Sequence, residues 1–257
     1  MSDEQGGPAE PAAEDGGPAG GGRQPIFMLP AVITVLGGAM LVVQALMSWA
    51  LSGELQDDVL GWLGFIPARL VAPEHIPGGW LPLLWTPFTY GFVHGGWEHV
   101  LGNVVWLVIF GTPVARRYGA VPTLIVFFVS SVVGAIAFAI TELNEVAYLV
   151  GASGGIAGLT GAAMRFIFQP VIVVPHPETG APIPVGRRMA SLPELLRSPP
   201  ARNFSILWVV LNCLVPLAPL LIGQDVAIAW QAHLGGFFTG LMLVPFFEHG
   251  ARVSATE

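Results

Sequence analysis

The chain has 257 residues, 53% of them hydrophobic and 11% charged, with a formal net charge of −7 and a mean hydropathy of +0.68. A soluble domain carries about 25% charged residues, so this composition excludes an ordinary soluble globule and sets much of the surface against lipid. The single cysteine, Cys213, excludes an intrachain disulfide and a cysteine-ligated zinc site.

Residues 1–25 are acidic and rich in Gly, Pro and Ala, with few large apolar side chains, and are expected to form a disordered cytoplasmic tail. They lack the basic start and cleavage site of a signal peptide, so the first hydrophobic segment is expected to be retained. Apolar segments then follow at 26–49, 97–113, 120–141, 149–168, 204–223 and 226–247. Each is near the roughly 20 residues that cross a hydrocarbon core as a helix. The expected fold is all-α: a polytopic bundle of six transmembrane helices over residues 26–247. Between the first two segments lies an apolar stretch broken by Pro and Gly, with Trp62, Trp80 and Trp85, which suits the membrane interface. Residues 170–203 form a proline-rich loop, with a hairpin turn at Pro175–Gly180 and a short surface helix at Ser191–Arg197. Residues 248–257 form a C-terminal tail.

All ten basic residues are arginines, and they sort by side. Arg23, Arg116, Arg117, Arg165, Arg187, Arg188, Arg197, Arg202 and Arg252 fall on one set of alternate ends of the six-span map. The opposite loops carry Glu54, Asp57, Asp58, Glu74, Glu142, Glu145 and Asp225, with Arg69 as the lone base. The positive-inside rule then places both termini in the cytoplasm. The expected location is the bacterial cell (inner) membrane, and no nucleic-acid partner is expected.

Three polar clusters interrupt the apolar segments: Trp97-Glu98-His99-Val100-Leu101-Gly102-Asn103, Gly151-Ala152-Ser153-Gly154, and Ala232-His233-Leu234-Gly235-Gly236. Ionisable groups at such positions are costly and generally functional. Helical rise, counted from Arg116, Arg165 and Asp225, puts Asn103, Ser153 and His233 at one depth, roughly 10 Å below the outer surface. His99, one turn before Asn103, lies slightly higher. Gly154 with Gly158, and Gly236 with Gly240, make small-xxx-small faces on which two helices can approach closely. A serine is a weak nucleophile until a base takes its proton, and His233 is the natural base. The oxyanion formed by attack on an amide needs donors, which His99, Asn103 and the Ser153 backbone N–H can supply. No acidic residue shares the depth, so the expected machinery is a Ser153–His233 dyad without an orienting Asp. His94 precedes the second segment and is expected to be structural. No metal or cofactor is expected: the motif His-Glu-x-x-His is absent, although a metal site from His94, Glu98 and His99 stays open as an alternative. His75, His176 and His249 lie in or near loops and carry no expected role.

Taken together, the run from His94 to Asn103, the Gly-Ala-Ser-Gly around Ser153, and the run from Ala232 through Gly240 resemble the rhomboid family of intramembrane serine proteases. The resemblance covers residues 26–247. It implies a Ser153 nucleophile, a His233 general base, oxyanion roles for His99 and Asn103, and transmembrane protein substrates cut near the outer end of a helix in the bilayer. Three positions depart from the family pattern. Ala157 stands where an aromatic ring often packs on the catalytic histidine, Ile228 where a Gly is frequent, and Ala115 where a Glu follows Val114. The first leaves His233 less constrained, which favours an alternative: a catalytically weak or inactive rhomboid-like protein that binds transmembrane helices. A small transporter using His233 and Asn103 is a further alternative, against which stands the lack of an inverted repeat.

Overall fold

The structure is a computed structural model that describes residues 28–143, 145–214, 217 and 228–248. The expected tail at 1–25, and that at 248–257 apart from Glu248, lie outside the described residues with Arg23, His249 and Arg252, as does Asp225. Among the described residues the long elements are helical. The helices are α1 (Ala31–Ala50), α2 (Gly53–Leu63), α3 (Thr86–Thr89), α4 (Trp97–Trp106), α5 (Thr112–Tyr118), α6 (Ala120–Glu142), α7 (Ser153–Met164), α8 (Leu192–Arg197), α9 (Pro199–Leu214) and α10 (Trp230–Leu243). A two-stranded antiparallel hairpin, β1 (Val171–Pro175) with β2 (Pro182–Arg187), occupies the proline-rich loop, and α8 follows it. The cap of α8 explains its position. Ser191 Oγ accepts from the Glu194 N–H while the Glu194 carboxylate accepts from the Ser191 N–H.

Among the described residues three helices are long and apolar enough to cross a membrane: Ala31–Ala50, Trp97–Tyr118 and Ala120–Glu142. The second joins α4 and α5 through a π turn at Leu107–Gly111. Pro113 lies just after that turn, and its ring and missing N–H disrupt regular α-helical bonding. α6 turns Val121, Ile125, Val129, Ile136 and Ile140 outward. Its buried face carries Ser130, Ser131, Gly134 and Ala135 beside Val126 and Phe127. That is the arrangement expected where lipid, and not water, is the outer solvent.

The centre of the molecule is α7, a helix of 12 residues in which every residue after Ser153 is buried. It is shorter than the segment 149–168 suggests. α7 packs against α6 and α10 at backbone distance. A methyl group at Gly240 would fall on the Gly158 carbonyl oxygen, and one at Gly236 on the Gly154 carbonyl. One at Gly161 would meet the Phe237 carbonyl, and one at Gly158 the Ser130 hydroxyl. The glycine faces of α7 and α10 are therefore in mutual contact, and this contact fixes the spacing of the two helices.

One end of the bundle gathers the arginines. Arg117 pairs with Glu248 at 2.6 Å and donates to the Arg187 carbonyl, while Arg116 donates to the Met28 carbonyl. Arg165, an anchor of the depth count, is buried: its guanidinium donates to the Ala190 and Leu241 carbonyls, each at 2.8 Å. It ties the end of α7 to the loop after β2 and to α10, satisfying main-chain oxygens that protein has cut off from water. Arg69 is likewise buried and donates to the Gly61 and Pro77 carbonyls, so it braces the tryptophan-rich loop. In that loop Trp85 donates to the Trp62 carbonyl and their rings stack.

Candidate active site

Ser153 is the first residue of α7, and the turn before it is built from both sides. Gly151 has φ +103°, a conformation open to glycine, and a side chain there would collide with the His99 ring. The Gly151 N–H donates to the Tyr90 carbonyl at 2.9 Å. The Ala152 N–H donates to His94 Nε2 at 3.3 Å. Tyr90 is itself pinned by its hydroxyl to the Ser131 carbonyl at 2.8 Å. His94, expected to be structural, thus holds the peptide that leads into Ser153. Burial first, and the neighbouring His99 second, lower the His94 pKa to about 4, so the ring is neutral and free to accept.

His99 stands edge-on to His94, with ring centroids 5.0 Å apart. Its Nδ1 accepts from the Gly95 N–H at 3.4 Å, which leaves Nε2 as the protonated nitrogen of a neutral ring. That Nε2 lies against Gly151, beside the serine turn. Asn103, one turn along α4, donates from Nδ2 to the His99 carbonyl at 2.9 Å. A carbonyl can only accept, so the amide orientation is settled, and the second Nδ2 hydrogen is free for another acceptor.

His233 sits one turn into α10. Its Nδ1 is 2.7 Å from Asn212 Oδ1 on α9. Ser153, Asn103, His233 and Asn212 line one cavity of about 200 Å³, completed by Trp106, Ile156, Ala157, Thr160 and Trp208. Four helices thus bring polar side chains to the same space, with Ser153 and Thr160 both from α7. His99 stands outside this lining and next to the serine turn. Gly154, Gly158, Gly236 and Gly240 do not line the cavity; they set the α7–α10 spacing that brings Ser153 and His233 to it. Among the described residues no group of three His, Cys, Asp or Glu could hold a metal ion, the set His94, Glu98 and His99 included. Asn212 belongs to none of the three polar clusters that mark the sequence. It lies in the apolar run Trp208-Val209-Val210-Leu211-Asn212, and the rule that flags polar groups within membrane segments applies to it as well as to Asn103.

A helical bundle with apolar outer faces and a half-buried cluster of serine, histidine and amide defines a class, the polytopic membrane proteins with an internal polar site. A family model, the Rhomboid domain, matches residues 82–249. The chain belongs to the rhomboid family and is an integral membrane protein. It is also similar to human Rhomboid-related protein 3, with 34% identity over 84 residues, 33% of this chain. That match spans about one fifth of the relative's length, 20%.

Proposed function

We propose that this rhomboid is an intramembrane serine endopeptidase, with Ser153 as nucleophile and His233 as general base. One observation carries the reading: Asn103, Ser153 and His233, separated by 50 and 80 residues in sequence, line a single cavity. In the reaction His233 takes the Ser153 hydroxyl proton while Oγ attacks the scissile carbonyl carbon. The oxyanion is met by the His99 Nε2–H, by the free Asn103 Nδ2–H, and by the N–H of Ser153 at the first turn of α7, where helical N–H groups have no partner. Collapse of the tetrahedral intermediate expels the amine, which takes its proton from His233. Water then repeats the sequence to release the acid.

In this reading α7, α9 and α10 complete a bundle of six spans. α7 can be short because protein, not lipid, surrounds it, and helix ends buried in protein need not reach the membrane surface. The arginine-rich end is cytoplasmic, and both termini lie on that side. The substrates are transmembrane proteins, cut near the outer ends of their helices.

Purified protein in liposomes, given a transmembrane substrate, should cleave it. Ser153→Ala should abolish cleavage with thermal stability unchanged, because Ser153 lies at the end of the packed face. Cleavage by Ser153→Ala at a comparable rate would overturn the mechanism. A folded wild type with no cleavage and no serine reactivity would support the alternative, a rhomboid that binds transmembrane helices without cutting them.

A further inference from the structure

His233 receives no aromatic ring from position 157, where Ala157 stands, yet its imidazole is held. The Asn212 amide nitrogen donates to the Trp208 carbonyl at 2.8 Å, four residues back on α9. A carbonyl oxygen has no hydrogen to give, so the amide can sit only one way, with nitrogen toward Trp208 and oxygen toward His233. An amide oxygen also only accepts, so the hydrogen in the 2.7 Å contact belongs to His233 Nδ1. In a neutral imidazole the lone pair is then on Nε2, the arrangement a base needs to accept a proton from a serine. Two one-way bonds therefore define the tautomer. The base of this arrangement is anchored too, since the Trp208 ring stacks on Phe237, one turn beyond His233, with centroids 4.5 Å apart.

We infer that Asn212 is the positioning residue of the site: it sets the tautomer and ring orientation of His233 by hydrogen bonding, in place of an aromatic ring from α7. This rests on the peptidase reading. Asn212 acts through His233 and is not itself a reacting group. A neutral amide suits this role in an apolar setting because it orients the ring without burying a charge.

The test compares wild type, Asn212→Leu and Asn212→Asp in liposomes, with kcat, KM and thermal stability measured on the same preparations. Leucine keeps the size and removes the acceptor. Aspartate keeps the acceptor and removes the N–H that binds Trp208. Asn212→Leu should lower kcat by about 10- to 100-fold, the scale of a misplaced catalytic group, with KM little changed. Asn212→Asp should retain kcat within a few-fold. A folded Asn212→Leu protein with wild-type kcat would overturn the inference. So would an equal loss in Asn212→Asp, which would assign the residue to packing on Trp208. If Asn212→Leu does not fold, Asn212→Asp decides alone: retained kcat supports the role and a large loss overturns it. Failure of the peptidase reading is distinguishable, because wild type would then show no cleavage that depends on Ser153.

Discussion

The turn that leads into Ser153 is held by side chains that do not line the cavity. His94 fixes the Ala152 N–H through a lone pair on Nε2. Protonation would turn that acceptor into a donor facing a donor, and the contact would be lost. The ring's pKa in the folded protein, about 4, is below the usual value near 6.5, so the unfolded chain binds the proton first as pH falls. The stabilisation from His94 is complete above roughly pH 6.5 and lost as pH falls through about 4. Wild type should therefore lose thermal stability across that window more steeply than His94→Gln, in which the acceptor does not titrate. Parallel curves for the two proteins would show that His94 does not carry this dependence. Ala157 illustrates how far a single position can be interpreted without its neighbours. Its small side chain implies a loose His233, but the restraint comes from another helix, through an Asn212 bond that no local pattern reveals.

The elements divide by how much of their environment is local. The apolar runs that form α1, α4–α5 and α6 are legible because lipid-facing surface leaves a continuous hydrophobic record. The capping residues of α8 and the turn between β1 and β2 are legible for a similar reason: short-range hydrogen bonds specify them. α7 is legible in its glycines but not in its length, since a helix enclosed by protein is not bound by membrane thickness. Arg165 serves as an anchor for the depth of Ser153, but only the folded molecule shows the Ala190 and Leu241 carbonyls that it satisfies. The contact of α7 with α10 makes a direct prediction. Gly240→Ala puts a methyl group against the Gly158 carbonyl, and relief requires the two backbones to separate. Overpacking of this kind costs about 1–3 kcal/mol, so thermal stability should fall, and cleavage with it, as Ser153 and His233 move apart. Gly38 has open space around it, so Gly38→Ala is the control and should leave both unchanged. Equal behaviour of the two variants would contradict the close packing of α7 on α10.

At the scale of the molecule, four helices bring Asn103, Ser153, Thr160, Asn212 and His233 into a cavity that Trp106, Ile156, Ala157 and Trp208 complete. Helical rise puts Asn103, Ser153 and His233 near one level, but helix order and neighbour relations are properties of the whole fold. The arginines at one end, tied to Glu248 and to main-chain carbonyls, give the bundle a charged base, and Ser153 opens the helix that Arg165 closes, roughly 18 Å away by helical rise. The central claim is that this convergence activates one serine. A fluorophosphonate probe tests it most directly, because it reacts with an activated serine and not with an ordinary hydroxyl. Wild-type protein in native-like membranes should be labelled, with the adduct mapped to Ser153, and both Ser153→Ala and His233→Ala should lose the label while remaining folded. An unlabelled wild type, or labelling that persists in folded His233→Ala, would contradict the account.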